Sequence, residues 1–302
     1  MTESLSTRWR DVQGLATKNS ARNAASHILG FTSSYEKGES RVIFGGNASV
    51  MLQELSVKYR PLLKDGDEII ISLANHTANI LPWLALANDC LGVKVIWWNQ
   101  GGSPENNNSD INTLLSTKTK LVVATGCSNV FGVLYSIQDL AETVASFRKT
   151  LVKSEEDINW PHVIVDGVAS AAHRYADLDS VLFPPNSTRA GGIDFYVVSF
   201  HKLFGPHAGA LVGRTTTMDD LELSSRDDGG RPKKMKSDSY SSRFWEKGTV
   251  NFEGCAGVVG LLQYFTRLAK LESNRITLSA AKEYKELLTQ AYRNIDHTKK
   301  AF

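Results

Sequence analysis

Short apolar runs alternate along the chain with longer segments in which apolar residues recur every three or four positions. The runs are rich in Val and Ile and end at polar, Gly or Pro residues, which is typical of strands buried on both faces. Strands are predicted at 41–44, 68–73, 94–98, 121–125, 163–166, 195–199 and 208–214, and helices at 48–59, 79–90, 138–148 and 279–294. This alternation predicts an α/β fold with a mostly parallel sheet flanked by helices.

A lysine stands just beyond one of these strands. Lys202 follows the apolar run 195–198 after a Ser-Phe-His segment, and the pair Gly205-Pro206 ends any regular element there. Lysine is rarely buried without a partner, because an ammonium group is costly to desolvate. A lysine that forms a Schiff base with an aldehyde cofactor avoids this cost, since its nitrogen becomes part of the ligand.

A carboxylate ends a second apolar run. Asp166 follows the run 163–165 directly. Chemistry based on pyridoxal 5'-phosphate needs such an acid to keep the pyridine nitrogen protonated, so that the ring accepts electrons from a substrate carbanion. Together, Asp166 and Lys202 predict this cofactor. The alternative is a strand-end lysine with no cofactor.

The segments around these two residues carry a resemblance. Residues 165–173 read V-D-G-V-A-S-A-A-H and residues 199–206 read S-F-H-K-L-F-G-P. They resemble the V-D-A-x-Q-S-x-x-H and S-x-H-K-x-x-G-P segments of class V aminotransferases, the fold-type I pyridoxal-phosphate enzymes that include the cysteine desulfurases. The resemblance implies a fold-type I large domain in which strand 208–214 runs antiparallel beside the lysine strand. It also implies that Lys202 forms the internal aldimine and moves the α-proton, and that Asp166 holds the ring nitrogen.

A glycine-rich turn matches the family's phosphate-binding turn. Residues 44–51 read F-G-G-N-A-S-V-M and resemble its F-T-S-G-A-T-E-A. A Gly-Gly-Asn turn that opens a helix suits an anion, because the first helical amides point at it. By the match, the backbone of Ala48 and the hydroxyl of Ser49 bind the phosphate together with Ser199 and His201. Taken alone, such a turn is usually only a turn.

Two further segments follow in the family's order. Residues 76–83 (H-T-A-N-I-L-P-W) are similar to H-x-S-N-x-x-P-W, which implies that His76 stacks on the pyridine ring. The alternative is an ordinary capped surface residue. Residues 120–132 resemble T-K-L-V-x-x-T-H-x-S-N-x-x-G, which places Asn129 near the cofactor's phenolic oxygen. The alternative is that Ser128 and Asn129 merely cap the helix at 138–148, and both roles can hold at once.

The segment 246–251 (E-K-G-T-V-N) resembles R-x-G-T-x-N, a turn that reaches the phosphate across a dimer interface. A homodimer is therefore expected, with Gly248 and Thr249 contacting the cofactor phosphate. The chain also departs from the desulfurase pattern. Ala169 replaces the glutamine that bonds the phenolic oxygen, so this bond is lost or falls to Asn129.

The resemblance covers roughly residues 20–270 and sets the expected domains. Residues 1–270 are predicted to form the cofactor-binding large domain with a shortened N-terminal arm, and 271–302 the start of a truncated C-terminal small domain. That small domain carries a mobile cysteine and a carboxylate-binding arginine in desulfurases. The predicted function is therefore a desulfurase-like lyase or transferase of specialised metabolism that acts on a small amino acid. The alternative is a truncated, non-catalytic relative that keeps the fold.

Composition limits the partners and the cellular compartment that are expected for such a protein. Of the 302 residues, 42% are hydrophobic and 22% charged, as in ordinary folded soluble proteins. A net charge of +2 gives no reason to expect nucleic acid or a membrane as partner. The cysteines Cys90, Cys127 and Cys255 fall at unrelated spacings, which predicts free thiols in a reducing compartment. With no hydrophobic leader or membrane-length apolar stretch, a cytoplasmic location is expected, and no metal ion is expected.

Overall fold

The computed structural model describes residues 5–102, 110–151, 160–185, 191–224, 244–246, 248 and 250–272. Within these residues, helices cover both faces of one seven-stranded sheet. The strands are β1 (Ser40–Gly45), β2 (Glu68–Ser72), β3 (Lys94–Trp98), β4 (Thr119–Thr125), β5 (His162–Asp166), β6 (Phe195–Ser199) and β7 (Gly209–Arg214). The α-helices are α1 (Leu5–Leu29), α2 (Thr32–Glu36), α3 (Ala48–Tyr59), α4 (Leu81–Asp89), α5 (Ile111–Leu114), α6 (Ile137–Leu151), α7 (Val168–Ala171), α8 (Leu178–Leu182), α9 (Thr215–Ser224) and α10 (Phe252–Glu272). Short 3-10 turns lie at Arg60–Leu62, Thr77–Asn79 and Phe200–Leu203.

The order of strands across the sheet is β1-β7-β6-β5-β4-β2-β3. The five strands from β6 to β3 are parallel to one another, whereas β7 is antiparallel to both β6 and β1. The connection from β6 to β7 is short, which permits only an antiparallel return, and it pairs Ser199 with Gly209. The predicted mostly parallel sheet and the antiparallel final strand are both confirmed.

The strands are apolar along their whole length because both faces of the sheet are covered. In β4, Leu121 and Val123 belong to the core beneath α3, α4 and α9, while Val122 and Ala124 belong to the core beneath α1, α6 and α10. Successive side chains of a strand point to opposite faces, so an unbroken apolar run fills two cores at once. This three-layer arrangement leaves the strand ends as the places for polar side chains.

The long helices α1 and α10 pack against each other beside the β1 edge of the sheet, and neither was predicted. The core that they share contains Ala21, Ala24 and Ala25 from α1 and Val258 and Leu261 from α10, all buried. The spacing of three and four between the buried α1 residues is that of a helix face. The small alanines allow the two backbones to approach closely.

A buried ionic cluster lies at the opposite end of the sheet from the candidate site described below. Asp194, just before β6, pairs with Arg148 and Arg214 and also accepts hydrogen bonds from the Thr217 hydroxyl (2.8 Å) and the Val163 amide (2.8 Å). Burial alone would raise the pKa of Asp194, but the nearby positive groups, Arg148 foremost, hold it below the usual value. These bonds fasten α6, β5, β6 and α9 together.

Some predicted boundaries differ from the structure. The helix predicted from residue 79 begins at Leu81, after the 3-10 turn, because Pro82 has no N–H and is accommodated only in a first helical turn. The predicted helix 279–294 and nearly all of 271–302 lie outside the described residues. Among the helices that are described, none is both long and apolar enough to cross a membrane.

Candidate active site

A cavity of about 540 Å³ opens at the carboxyl ends of β4, β5 and β6. Ligands of parallel α/β sheets typically bind at this edge, where the polar residues that follow each strand converge. All of the predicted site residues except Gly248 and Thr249 line the cavity, namely Ala48, Ser49, His76, Asn129, Asp166, Ser199, His201 and Lys202. Residues far apart in the sequence are therefore brought to one place by the parallel topology.

Asp166 is the last residue of β5 and is buried beside the cavity. One carboxylate oxygen, Oδ1, accepts a hydrogen bond from the Val168 amide at 2.9 Å, which fixes the side chain. Burial raises the pKa of Asp166, and this is opposed by the Val168 bond and by the nearby basic side chains of His76 and Lys202. A cationic group held against this carboxylate would favour its ionised form further.

Lys202 lies on the 3-10 turn after β6 and is exposed to the cavity. The ammonium group is therefore solvated, so the cost of burial does not distinguish this lysine from others. The basic side chains beside it do distinguish it. His201 and His207 stack on each other with ring centroids 5.2 Å apart, and both rings line the same cavity as Lys202. The pKa of His201 is lowered by partial burial and then by His207 and Lys202. Three basic side chains thus face one space, which favours an anion there, and His207 was not predicted.

The N-terminus of α3 forms another wall of the cavity. Asn47 caps the helix, because its side chain accepts a hydrogen bond from the Val50 amide at 3.0 Å. The Ala48 amide donates to the Ser199 hydroxyl at 2.9 Å, which leaves that hydroxyl's own proton free to donate. A phosphate bound by the Ala48 amide, as predicted, would therefore have to compete with this internal bond. Within the described part of the chain the Ser49 amide has no such acceptor, so Ser49 offers both its amide and its hydroxyl to an anion.

A glycine allows this wall to form. Gly209 is paired with Ser199 on one side and with Gly45 on the other. A Cβ atom at Gly209 would lie 2.5–2.9 Å from the carbonyl carbon, Cα and oxygen of Asn47. Any side chain here would push the capping turn away from Ser199. The strand pattern alone gave no sign of this requirement.

His76 is held by a small amide network. Its Nδ1 accepts a hydrogen bond from the Ala78 amide at 3.1 Å, so the ring is oriented and Nδ1 carries no proton. His76 caps the 3-10 turn and also lines the cavity. Behind it, buried Asn79 donates to the Ala124 carbonyl (3.0 Å) and accepts from the Trp83 indole (3.1 Å). These bonds explain why the segment needs an asparagine and a tryptophan at those positions.

Asn129 lies in an exposed turn at the cavity rim. Ser128 closes that turn, since its amide donates to the Val133 carbonyl and its hydroxyl accepts from the Phe131 amide. The alternative prediction that Ser128 and Asn129 cap the next helix is wrong. That helix begins at Ile137, and the Ser136 hydroxyl accepts from the Asp139 amide there. Asn129 is thus left facing the cavity.

The remaining predicted positions are placed as follows. Ala169 lines the cavity with its methyl group, so it offers no hydrogen bond there. Cys127 is buried at the cavity wall, where burial raises the pKa of its thiol, in keeping with a small hydrophobic role. Gly248 is exposed with a positive φ of 76° and does not line the cavity. Thr249 lies outside the described residues.

The donor set of the cavity fits pyridoxal 5'-phosphate. A phosphate requires several N–H and O–H donors, and the cavity lining offers the Ser49 amide, the hydroxyls of Ser49 and Ser199 and the His201 imidazole as candidates. A pyridinium nitrogen requires a fixed carboxylate, which Asp166 supplies. An aldehyde requires an accessible amine, which Lys202 supplies. No group of three or more His, Cys, Asp or Glu side chains suited to a metal occurs among the described residues.

The chain is similar to several known proteins. The family model described as Aminotransferase class-V matches residues 17–301. A nonribosomal peptide synthetase-like enzyme, fsqF of Aspergillus fumigatus, is 33% identical over 175 residues, which cover 57% of this chain and 10% of that protein. A cysteine desulfurase of Yersinia pseudotuberculosis is 31% identical over 220 residues, covering 70% of this chain and 48% of that protein. The structure of the Escherichia coli cysteine desulfurase CsdA superposes with a TM-score of 0.59 at 24% identity, covering 90% of this chain and 65% of that one.

The chain belongs to the class V aminotransferase family, whose cofactor is pyridoxal phosphate. Its fold is that of the cysteine desulfurases. The chain spans half or less of the length of the curated relatives it matches.

Proposed function

We propose that this protein uses pyridoxal 5'-phosphate, held by Lys202, to transform a small amino acid. The observation that carries the proposal is the shared cavity, in which an accessible lysine, a fixed carboxylate and a set of anion donors meet at one sheet edge. Each of these groups has a structural explanation by itself. Their convergence at the carboxyl ends of three neighbouring strands suits a single ligand that is basic at one point and anionic at another.

Each residue has a defined task in this proposal. When bound, the cofactor supplies an electron sink that stabilises a carbanion at the substrate's α-carbon. Asp166 keeps the ring nitrogen protonated, and His76 covers a face of the ring. Ser49, Ser199 and His201 bind the phosphate, with Ala48 at the helix N-terminus. The Lys202 Nζ holds the cofactor and then moves the α-proton of the substrate.

The reaction that we propose is a desulfurase-like lysis or group transfer in specialised metabolism. Ala169 cannot bond the phenolic oxygen of the cofactor, which leaves that task to Asn129 and sets this site apart from the desulfurase pattern. The similarity to a nonribosomal peptide synthetase-like enzyme supports a biosynthetic role. The competing proposal is a non-catalytic relative that binds the cofactor without turning over a substrate.

Absorbance spectroscopy tests the cofactor assignment. The purified protein should show a near-visible band of bound cofactor that is absent from Lys202→Ala and retained in Lys64→Ala, an exposed lysine remote from the cavity. Failure of the wild type to bind cofactor at saturation would overturn the proposal.

A screen of amino acids then separates the two functions. Addition of the substrate should shift the band, and product analysis by mass spectrometry should identify lysis or transfer. A protein that binds the cofactor but responds to no amino acid would favour the non-catalytic alternative.

We further propose a cytoplasmic homodimer in which Gly248 and Thr249 of each subunit complete the partner's phosphate site. The cavity rim supports this, because Val130 and Phe131 beside Asn129 are 74% and 82% exposed. Large apolar side chains exposed together often mark a subunit interface. Sedimentation should show a dimer, and Thr249→Ala should weaken cofactor binding by about 1 kcal/mol while leaving the dimer intact. A monomer that binds the cofactor tightly would contradict the shared site.

We also propose that residues 1–270 form the cofactor-binding large domain and that residues 271–302 begin the small domain. The family match extends to residue 301, which supports assignment of the last residues to the same enzyme unit. Limited proteolysis should leave a resistant large-domain fragment that still binds the cofactor. A fragment that ends near residue 270 and binds no cofactor would contradict this division.

A further inference from the structure

The edge strand β1 leads directly into the capping turn of the candidate site. Within the described sheet, β1 has a neighbour on one side only, β7, so its outward amides need partners from elsewhere. Phe44 is the last residue before the glycine pair of the turn. Its outward amide donates to Oε1 of Glu246 at 3.3 Å. A carboxylate from a distant part of the chain thus covers the edge just before the turn.

Glu246 also connects this strand to helix α1. The side chain of Glu246 is only 4% exposed and is neutralised by Lys18 and Arg22 of α1. Arg22 Nη2 lies 3.2 Å from each carboxylate oxygen. A buried carboxylate is costly unless it is paired and hydrogen-bonded. Glu246 meets both conditions, because two basic side chains pair with it and the Phe44 amide donates to it. One side chain therefore joins α1, β1 and the segment 244–246.

Displacement of Phe44 would move the anion-binding end of the cavity through two sets of contacts. Along the chain, the turn at 45–46 connects Phe44 to Asn47, which caps α3 and so orients the Ser49 amide. Across the sheet, the Phe44 ring packs on Phe200 with ring centroids 6.2 Å apart. Phe200 directly follows Ser199. Both walls of the anion site thus depend on where the end of β1 lies.

We propose that Glu246 is a positioning residue for the anion-binding end of the cavity, through which helix α1 holds the capping turn in place. The inference rests on the proposed function, because the anion in question is the cofactor phosphate. Glu246 does not line the cavity and has no chemical task there. Its effect is expected on binding of the phosphate group and not on binding of the ring.

Two related probes separate this role from a general loss of structure. Pyridoxal 5'-phosphate carries the phosphate, whereas pyridoxal has the same ring and aldehyde without it. In Glu246→Ala the dissociation constant for pyridoxal 5'-phosphate should rise about tenfold, the effect of one lost charged hydrogen bond. The constant for pyridoxal should change less than about twofold. In Glu246→Gln, which keeps an acceptor for the Phe44 amide, the rise should be smaller.

The matched control is Glu253→Gln, an exposed carboxylate in the first turn of α10, which should leave both constants unchanged. Equal weakening of both probes in Glu246→Ala would show a general structural effect and overturn the proposal. Unchanged binding of both probes would overturn it as well.

Hydrogen exchange tests the same inference without the cofactor. Amides of residues 40–48 should exchange faster in Glu246→Ala than in the wild type or in Glu253→Gln. If the wild type binds no cofactor, the proposed function fails, while faster exchange in this segment still supports the positioning role. Unchanged exchange would refute that role directly.

Discussion

Replacement of Gly209 by alanine tests the close contact that builds the anion site. The added Cβ would lie 2.5 Å from the Asn47 carbonyl carbon, where ordinary contact begins near 3.4 Å. The obstructing atoms are backbone and cannot rotate away, so the turn at 45–48 must move by about 1 Å. Such overpacking costs roughly 1–3 kcal/mol. The alanine also reduces the entropy of the unfolded chain, which returns roughly 0.4–1 kcal/mol.

The clash should prevail, with a net loss of about 1–2 kcal/mol in the free energy of unfolding, measured by urea titration with circular dichroism. The movement also displaces the α3 N-terminus, with the Ser49 amide, from Ser199, so affinity for pyridoxal 5'-phosphate should fall about 10- to 100-fold. Gly260→Ala is the matched control, since nothing lies within 4 Å of a Cβ there and Gly260 is exposed on α10, outside the cavity lining. If Gly209→Ala leaves the cofactor affinity as unchanged as Gly260→Ala and does not lower stability, the close approach of the turn to β7 is wrong.

Three further predictions concern charged groups. Asp166→Asn should leave a folded protein whose turnover in the reaction identified falls by orders of magnitude, because an amide does not stabilise a pyridinium; near-normal turnover would contradict the assignment. Asp194→Asn should lower the free energy of unfolding by about 3–5 kcal/mol, since two buried guanidinium groups lose their counter-ion, and a change below about 1 kcal/mol in urea titration would refute this. Burial is the main cause that lowers the pKa of His162 to about 3 in the folded state. Between about pH 6.5 and pH 3, the unfolded chain therefore binds this proton and the folded chain does not. Stability should therefore fall, by up to about 1.4 kcal/mol per pH unit, as the pH drops from 6.5 towards 3; His162→Asn should reduce that slope, whereas replacement of the exposed His173 should not.

Much of the sheet could be predicted from the sequence, because each strand is a short apolar run that is recognisable from its own residues. The predicted bounds of β3 and β6 agree with the structure, as do those of α3. In contrast, α1 and α10 escaped prediction, since their alanine and glycine content weakens the apolar signal and only their mutual packing makes the helical face evident. The capping role of Ser128 was misassigned for a related reason, because a serine before a helix looks the same whichever turn it closes.

The sequence by itself determined the chemistry of the candidate site. Asp166, Lys202 and the Gly-Asn turn were each evident from strand ends and motif spacing, and parallel topology then requires such ends to share one edge. Only the tertiary structure decided how that edge is supported. The contact of Gly209 with Asn47, the stacking of His207 on His201 and the reach of Glu246 to Phe44 join residues that no local pattern relates. A strand end is encoded by its neighbours in the chain. A contact between residues on different elements depends instead on how those elements pack against each other.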